Sequence, residues 1–515
     1  MSFTIIEKEQ AEFMNDQLKQ NLKLVNETLE KAEYYEQAAR TLNFDMETIC
    51  PEKGMEREGD VAAFLENEAF QLQKDPAFTD AAEALYAGRE ELERYDRALA
   101  EALHRQYLKT KNRTPEVNHE MTRTYNRAFS VWSKAREASD FQQFLPALTD
   151  VLKAQRLDIS LREGAKEDLY DNMLDDYERG LTAADLDVCF GRVKERLVPL
   201  LQKIMASKKT IRTDFLSRPV TDEQQRIFAR YLLTVIGFDF TRGNFTTSEH
   251  PFTDGLGPDD ARVTTHYYPT QLISSMYSII HEGGHALFEQ LQPKESHIHH
   301  LTGEKTMGMH ESVSRFYENV LGRSRGFIHL IFPEMQRIFA GVLDDVTEEE
   351  LYEAVNVVSP GLIRTEADEF TYAFHVIIRY ELEREIAEGK AELSDLPQLW
   401  ADRYESYLGI RPASDREGVL QDVHWTFGFG YFPSYCIGNM YNSMYVKEMR
   451  KSIDLDRALA EGDFASINTW MAEHVFAKAD LLSPKEWIRD ITGRALTPDD
   501  FLDYLEEKYT TLYEL

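Results

Sequence analysis

The segment His281-Glu-Gly-Gly-His285 carries two histidines separated by three residues, with a glutamate directly after the first. Apolar residues flank it at helical spacing, so the segment is predicted to lie on a helix. Histidines at positions i and i+4 project from one side of a helix and can bind one Zn²⁺ together. Glu282 lies about 100° around such a helix, where it can act as general base on a water at the metal. The motif predicts metal-dependent hydrolysis, although two ordinary histidines on an amphipathic helix give the same pattern.

A catalytic zinc site needs a third protein ligand, and the next predicted helix supplies candidates. Glu311 is the preferred ligand. Glu318 lies seven residues later on the same face, and we expect it to contact a ligand histidine on the side away from the metal. His310 is the rival third ligand. Glu289 lies about 12 Å along the helix from His281, which is too far to share its metal. Another group of histidines is either a second candidate cluster or an ordinary part of a surface loop: His297, His299 and His300.

Helices must position most of these residues, because helical periodicity runs from residue 5 to about 235 and returns after Pro269. Residues 239–268 alternate in polarity instead, which predicts two or three short strands with turns at Gly243 and Asp254-Gly-Leu-Gly. A loop rich in Gly and Phe, residues 427–435, interrupts the later helices. We predict a mainly α, large helical protein with one small antiparallel sheet beside the HExxH helix. The residues expected to separate the early helices are Pro51, Pro76, Pro115, Pro146 and Gly180.

The chain has 515 residues, of which 43% are hydrophobic, so it can bury a large core and is not expected to be disordered. No long linker or tandem repeat divides it. We predict a single domain over residues 1–515. An approximate internal division separates a mostly helical lobe, residues 1–238, from the half that carries the metal site, residues 239–515.

The formal net charge is −32, from 58 basic and 90 acidic residues. Such a field repels phosphate backbones and anionic lipid, so nucleic acid and membranes are not expected partners. The sequence contains no run of about 18 apolar residues, and its start lacks the basic-then-apolar pattern of a signal peptide. The cysteines Cys50, Cys189 and Cys436 are far apart, which favours a reducing compartment. We expect a cytoplasmic protein.

Six short segments follow one another in an order that is far more specific than the histidine motif alone. They are His250-Pro-Phe252, Asp260-Ala-Arg262-Val-Thr264, His281-Glu-Gly-Gly-His285, His310-Glu-Ser312, Ile363-Arg-Thr-Glu-Ala-Asp368 and Gly418-Val-Leu-Gln-Asp-Val-His-Trp425. In these motifs the chain resembles the carboxypeptidase Taq family of metallopeptidases over most of its length. It departs from the family at Val313, where Gln or Gly usually follows His-Glu-Ser, and this bears on subfamily and preferred substrate length.

The resemblance implies a two-lobed helical fold with a long central cleft, as in neurolysin and angiotensin-converting enzyme. It implies a metallocarboxypeptidase that releases single amino acids from peptide C-termini, with broad side-chain tolerance and poor action before a terminal proline. One Zn²⁺ per chain, replaceable by Co²⁺, would be held by His281, His285 and Glu311, with Glu282 as the base. Homodimers are common in the family, so a homodimer is implied as well.

The reaction also needs a hydrogen-bond donor for the oxyanion that develops at the scissile carbonyl. Tyr431 in the glycine-rich loop is the first choice, His424 the second and Tyr435 the third. For each of these aromatic residues the alternative is simple packing in the wall of the cleft.

Exopeptidase specificity needs a cation for the terminal carboxylate of the substrate, and Arg364 can offer a bidentate fork. Its alternative role is an ion pair with Asp368 on one helix. Arg262 is a second candidate, and its alternative is an ion pair with Asp260. His250 is expected either to contact the substrate backbone or carboxylate, or to shape its own loop.

Two rival functions use the same residues differently. An oligoendopeptidase on the same scaffold is the enzyme alternative. A carboxylate-bridged di-iron protein is a remote one, because three Glu-x-x-His segments resemble its half-sites. These are Glu282 with His285, Glu101 with His104, and Glu116 with His119. The di-iron hypothesis leaves His281 without a role.

Overall fold

The computed structural model describes residues 15–303 and 305–515, and the described part is mostly helical. The helical pattern predicted for residues 5–14 lies outside the described residues. The helices are α1 (Asp16–Thr48), α2 (Met55–Lys74), α3 (Pro76–Ala87), α4 (Arg94–Thr110), α5 (Pro115–Ala138), α6 (Phe141–Leu161), α7 (Leu169–Asp175), α8 (Ala183–Ala206), α9 (Asp222–Ile236), α10 (Leu272–Leu291), α11 (Lys294–Ile298), α12 (Met307–Arg315), α13 (Arg325–Ile338), α14 (Glu348–Val355), α15 (Tyr372–Ala387), α16 (Leu396–Leu408), α17 (Pro433–Met449), α18 (Leu455–Glu461), α19 (Phe464–Trp470), α20 (Pro484–Thr492) and α21 (Asp499–Tyr513).

Prolines mark most of the early helix boundaries, as predicted. Pro76 and Pro115 occupy the first position of α3 and α5, where the missing N–H costs no helical hydrogen bond. Pro146 is different, because it lies inside α6 and does not end that helix. The ring removes one backbone hydrogen bond there, while buried neighbours such as Phe144 and Leu148 hold the helix in the core.

One small sheet interrupts the helices between α9 and α10. It contains β1 (Gly243–Thr247), β2 (Thr253–Gly257) and β3 (Asp260–Thr265) in the order β1-β3-β2. The prediction of an antiparallel sheet is right for β2 and β3 but wrong for β1, which pairs with β3 in parallel. The reason is topological. The chain reverses between β1 and β2 and again between β2 and β3, so β1 and β3 run in the same direction on neighbouring positions of the sheet.

The segment Asp254-Gly-Leu-Gly lies within β2, so the turn predicted there is wrong. Its glycines belong to an edge strand with a bulge between Gly255 and Gly257. A Cβ atom on Gly255 would lie 3.0 Å from Oε2 of Glu289, and one on Gly257 would lie 3.2 Å from Nε2 of Gln37. Close approach by neighbouring side chains, and not a turn, therefore explains these glycines.

The main hydrophobic core contains buried residues from Ala128 to Tyr513. A smaller cluster joins α1, α3 and α4 to Leu301. The fold class is confirmed as mainly α with one small three-stranded sheet, whereas the two lobes, the central cleft and the division at residue 238 stay predictions. Among the described helices, none is both long enough and apolar enough to cross a bilayer.

Candidate metal centre and active site

Helix α10 carries the histidine motif, and two neighbouring helices approach its backbone closely. A Cβ atom on Gly283 would lie 2.6 Å from Cδ1 of Ile236 in α9, and one on Gly284 would lie 2.9 Å from the Cα atom of Ser314 in α12. Both glycines cost helix stability, about 1 kcal/mol each relative to alanine. The structure shows what requires them, because α9 and α12 could not pack this closely against larger residues.

His281, His285 and Glu311 bring their ligand atoms together, all within 4.8 Å of one another. Oε2 of Glu311 lies 3.6 Å from Nε2 of His281 and 3.6 Å from Nε2 of His285. Ligands on a tetrahedral ion with bonds of about 2.0 Å are separated by about 3.3 Å, so this arrangement fits a divalent metal. Two imidazoles and one carboxylate are also the donor set of catalytic zinc sites.

The other nitrogen of His281 is held by Glu318, the partner predicted from its spacing. Nδ1 of His281 lies 2.8 Å from Oε2 of Glu318, which leaves Nε2 for the metal. Glu318 belongs to a π-helical segment, Phe316–Leu321, that continues α12. Burial by itself raises the pKa of Glu318, but Arg315 and His281 lower it, to about 2. Glu318 is therefore a carboxylate over the whole physiological range.

His285 is oriented by a second histidine. Its Nδ1 lies 2.9 Å from Nδ1 of His310, and Nε2 of His310 lies 3.0 Å from Oε1 of Glu289. If Nε2 of His285 faces the metal, its Nδ1 carries the proton and donates to His310, which then donates to Glu289. His310 is thus placed behind a ligand and not among the ligand atoms.

Glu289 lies outside the cluster of candidate ligand atoms and holds His310 instead. Burial raises the pKa of Glu289, whereas Lys305 and His310 lower it, to about 2. Nζ of Lys305 lies 3.8 Å from Glu289 and donates to Oε1 of Gln292 at 2.6 Å. No sequence spacing signals this chain of contacts, because its members come from α10, α12 and the connection between them.

Glu311 is held from its other side by residues of its own helix. Nε of Arg315 donates to Oε1 of Glu311 at 2.7 Å, and the Ser314 hydroxyl donates to Oε2 at 3.1 Å. Burial raises the pKa of Glu311, but His281 and Arg315 hold it well below its ordinary range. These contacts keep Glu311 ionised and aimed at the two histidines.

Glu282 lies on the buried side of α10, with 8% of its surface exposed. The hydroxyl of Thr253, at the start of β2, lies 2.8 Å from Oε2 of Glu282 and 2.8 Å from its backbone oxygen. The candidate base is therefore held by the sheet and not only by its own helix.

The glycine-rich loop is shaped by two glycines with positive φ, Gly428 at 118° and Gly430 at 108°. Gln155 of α6 donates to the carbonyl of Phe429 at 2.9 Å and accepts from its N–H at 3.0 Å. Glu383 of α15 accepts from the N–H of Gly430 at 3.0 Å. A Cβ atom on Gly430 would lie 2.4 Å from the carbonyl oxygen of Met173, so no larger residue fits.

The loop brings the three candidate oxyanion donors together. The His424 ring centre lies 4.9 Å from that of Tyr431, and Nε2 of His424 lies 3.1 Å from the Tyr435 hydroxyl. Burial lowers the pKa of His424 to about 3, and Arg364 adds to this effect, so the ring is neutral at pH 7. Burial raises the pKa of Tyr431, whose phenol therefore stays protonated and able to donate.

Arg364 is buried beside this loop, and the ion pair with Asp368, given above as its alternative role, does not form. Nε of Arg364 donates to Oδ1 of Asp422 at 3.0 Å, and Nη1 donates to the Tyr372 hydroxyl at 3.0 Å. Asp368 instead accepts from the backbone N–H of Thr371 at 2.9 Å. Residues 364–366 form a single 3-10 turn, which explains why the expected helical pair with Asp368 does not form.

A chain of contacts joins Arg364 to the candidate metal ligands. The guanidinium of Arg315, which holds Glu311, lies 4.1 Å from the ring centre of Tyr372, and the Tyr372 hydroxyl accepts from Arg364. The guanidinium of Arg364 also lies 4.7 Å from the ring centre of Tyr435. The candidate metal ligands, the glycine-rich loop and Arg364 are therefore joined by direct contacts.

Arg262 and His250 lie on the sheet and on the loop before β2. Arg262 makes two hydrogen bonds to Asp260, at 3.0 and 2.8 Å, and lies 5.3 Å from the ring centre of Phe44. The alternative predicted for Arg262 is therefore present. His250 is exposed, and its backbone oxygen accepts from the Ser248 hydroxyl.

Three other histidines considered above have partners away from the site on α10. His299 contacts Asp96, and His300 contacts Glu33. His104, from a proposed di-iron half-site, contacts Glu83. Within residues 15–303 and 305–515, the only other metal-compatible group besides the site on α10 is Asp45, Cys50 and Glu58. The remaining half-site residues, Glu101, Glu116 and His119, are absent from both groups, so the di-iron arrangement is not formed.

Comparison with known proteins agrees with this geometry. The sequence profile of the carboxypeptidase Taq (M32) metallopeptidases matches residues 24–509 of the chain. The chain belongs to the M32 carboxypeptidase family. Its relatives include Carboxypeptidase 1 of Bacillus subtilis, 34% identical over 490 residues, which cover 95% of this chain and 97% of that protein. Thermostable carboxypeptidase 1 of Thermus thermophilus is 36% identical over 484 residues, which cover 91% of this chain and 94% of that protein.

Solved structures of M32 carboxypeptidases have the same fold. The crystal structure of the M32 carboxypeptidase from Deinococcus radiodurans R1 has a TM-score of 0.92 at 33% identity, covering 97% of this chain and 100% of that one. As an M32 member, the chain is a metallocarboxypeptidase, and its family requires a divalent metal for which the site on α10 has suitable donors.

Proposed function

We propose that this M32 enzyme removes single amino acids, with broad side-chain tolerance, from the free C-termini of peptides. The observation that carries this proposal is the position of Arg364, buried and joined through Tyr372 and Arg315 to the metal cluster. A buried cation beside a hydrolytic centre is suited to a substrate carboxylate, since both groups are desolvated when they pair.

The charges around Arg364 support an anion site in this acidic protein. Asp422 is shared between two guanidinium groups, with Nε of Arg364 at 3.0 Å and Nη2 of Arg379 at 2.6 Å. Two cations around one carboxylate, next to the neutral ring of His424, leave a net positive charge. That charge can attract a terminal carboxylate.

The metal is proposed to be one Zn²⁺ per chain, replaceable by Co²⁺, with His281, His285 and Glu311 as its ligands. When bound there, a divalent ion polarises the scissile carbonyl and lowers the pKa of a water. Glu318 and His310 contact the Nδ1 atoms of the two histidine ligands, which leaves the Nε2 atom of each ligand for the metal.

Glu282 is proposed to take the proton of the attacking water and to pass it to the leaving amine. Tyr431 is the first candidate to donate a hydrogen bond to the oxyanion, and His424 is the second. Both belong to the glycine-rich loop or its immediate start, and both carry a proton that they can donate at neutral pH.

Arg364 is proposed to bind the terminal carboxylate directly. Arg262 and His250 are proposed as secondary substrate contacts, to the peptide backbone or its carboxylate. Arg262 would have to leave Asp260 to make such a contact. The Ser248 hydroxyl bonds the backbone oxygen of His250 and not its exposed ring, so His250 needs no such change. The sheet would then form part of the substrate-binding wall.

Peptides are the proposed partners, and the protein is proposed to be a cytoplasmic homodimer. All three cysteines, Cys50, Cys189 and Cys436, are free and buried, which suits a reducing compartment. The family resemblance supports the dimer, and light scattering of the purified protein would test it directly.

The decisive experiment compares a peptide with its C-terminally amidated form and identifies the new ends of the products. We expect cleavage of the free acid from its C-terminus and loss of most cleavage after amidation, because Arg364 loses its anion. Arg364→Ala should be slow on the free acid and nearly indifferent to amidation. Arg364→Lys should recover only part of the loss, because an ammonium group cannot reproduce the two parallel hydrogen bonds of a planar guanidinium.

Two results would contradict the proposal at different points. A strong preference for the free acid in Arg364→Ala would move the carboxylate anchor to Arg262 or His250. Internal cleavage of amidated peptides by the parent enzyme, at a rate equal to that of the free acid, would favour the oligoendopeptidase alternative.

A further inference from the structure

The small sheet contacts the candidate general base through one hydroxyl. Thr253 is the first residue of the edge strand β2, paired with Val263 of β3. Its Oγ1 lies 2.8 Å from Oε2 of Glu282 and 2.8 Å from the backbone oxygen of the same residue. This hydrogen bond joins the sheet to the motif on α10.

Glutamate has three side-chain torsions, so a long carboxylate beside a metal must be held to keep one orientation. The single proton of the Thr253 hydroxyl has two acceptors at 2.8 Å, Oε2 and the backbone oxygen of Glu282, and the carboxylate is the stronger of the two. A hydrogen bond to Oε2 restrains the carboxylate and leaves Oε1 for the attacking water. A hydrogen bond to a charged acceptor is stronger than one between neutral groups, which suits this task.

The residue type at position 253 fits the role. Threonine is β-branched, so its χ1 angle is restricted in a strand and its hydroxyl points in a set direction before substrate binds. The neighbouring backbone is fixed as well, because the N–H of Phe252 donates to the Thr264 hydroxyl at 2.8 Å and the N–H of Thr264 donates to the carbonyl of Phe252.

We propose that Thr253 is a positioning residue for the general base, holding the Glu282 carboxylate in the orientation that accepts the proton of the attacking water. The proposal rests on the role assigned to Glu282 above. It also gives the sheet a specific function, since β2 then couples the wall of the site to the proton acceptor.

Three substitutions at Thr253 test the hydroxyl. Thr253→Val keeps the branched shape and removes the hydrogen bond, so kcat should fall about 10-fold to 100-fold with KM changed less than twofold. Thr253→Ala should behave similarly and replaces Val as the test if that variant does not fold. Thr253→Ser should recover most of the rate but not all, because serine has a freer χ1 angle.

The matched control is Thr265→Val. Thr265 lies in β3 of the same sheet and also bonds to α10, through the Ser278 hydroxyl at 3.3 Å, but it does not contact Glu282. Its kcat should stay within twofold of the parent. Zinc affinity, measured by competition with a chelator, should be unchanged in every variant.

A double-mutant cycle separates positioning from general structural support. In the Glu282→Gln background, Thr253→Val should cause no further loss of kcat, because the group that it positions is gone. Thr253→Val within twofold of the parent, an equal loss in the Glu282→Gln background, or a lowered zinc affinity would each overturn the proposal. A Glu282→Gln enzyme within tenfold of the parent rate would instead remove the role of Glu282 itself.

Discussion

Two sets of buried carboxylates lie around the site and differ in their protonation. Glu289 and Glu318, beside the metal ligands, have pKa values lowered to about 2, although burial alone would raise them. Glu178 and Glu383, which hold backbone elsewhere in the site, have pKa values raised by burial to about 7. The members of both sets are largely removed from water. Burial therefore does not decide their charge.

The groups that contact each carboxylate explain the difference in pKa. Glu318 and Glu289 face Arg315 and Lys305, whose positive charges stabilise the ionised carboxylate. Glu383 accepts its hydrogen bonds from neutral donors, the Trp425 indole at 2.8 Å, the Tyr170 hydroxyl at 2.9 Å and one backbone N–H. The charge of Arg379 also lowers its pKa, but it is the smallest of the effects on this group. Neutral hydrogen bonds offset only part of the desolvation of a carboxylate. Of these four carboxylates, the two beside the candidate metal ligands therefore keep a negative charge throughout the neutral range.

The strongest test of this comparison removes a ligand from the charged side. Glu311→Ala, His281→Ala and His285→Ala should each lose the metal and fall to background activity, while circular dichroism shows the helical content retained. Metal analysis of the dialysed protein is the measurement. A Glu311→Ala protein that still holds one tightly bound zinc would exclude Glu311 as third ligand and point to His310.

Glu282→Gln should separate chemistry from metal binding. The amide keeps the size of the side chain and can still accept from Thr253, but it cannot take a proton. We expect a loss of about 10²-fold to 10⁴-fold in kcat with one zinc per chain retained, measured by steady-state kinetics and metal analysis. A variant within tenfold of the parent would contradict the assignment.

Glu318→Gln removes charge from behind His281 and should weaken zinc binding about 10-fold to 100-fold. Competition with a chelator is the measurement. Glu178→Gln is the matched control, because this carboxylate already lacks a cationic partner, and its zinc affinity should stay within about twofold of the parent. Equal weakening in both variants would break the distinction between the two sets.

Glu178→Gln should act on stability instead. Its folded pKa of about 7 lies above the ordinary value of 4.5, so ionisation destabilises the parent progressively from about pH 4.5 to 7. Glutamine can keep both contacts, accepting from the Gly308 N–H and donating to the Thr306 hydroxyl. Denaturant unfolding should show the variant more stable than the parent at pH 8, by up to about 3 kcal/mol, and nearly equal at pH 4. A difference that does not change with pH would refute the raised pKa.

Local sequence patterns predicted the helices, the cluster of candidate metal ligands and the contact of Glu318 with one of the histidines. Helical spacing relates residues within a few turns of one helix. The order of the six motifs supplied the resemblance to the family. The patterns could not reveal that Arg364 pairs with Asp422, 58 positions away, or that Thr253 meets Glu282. Such contacts depend on how separate elements pack. The prediction that β1 pairs antiparallel was wrong for the same reason, since alternation in polarity does not specify strand order.

The glycine at position 284 makes the candidate metal site sensitive to a residue that is not one of its ligands. His285 and Glu311 belong to different helices, whose backbones meet where a Cβ atom on residue 284 would lie 2.9 Å from the Cα atom of Ser314. One added methyl group has to push the two helices apart by about half an ångström, comparable to the tolerance of a preorganised site. Mutational scans of this protein should therefore find that position 284 does not accept even alanine, beside positions that accept many residues. This intolerance reflects the spacing of the two helices and not a chemical role of the residue.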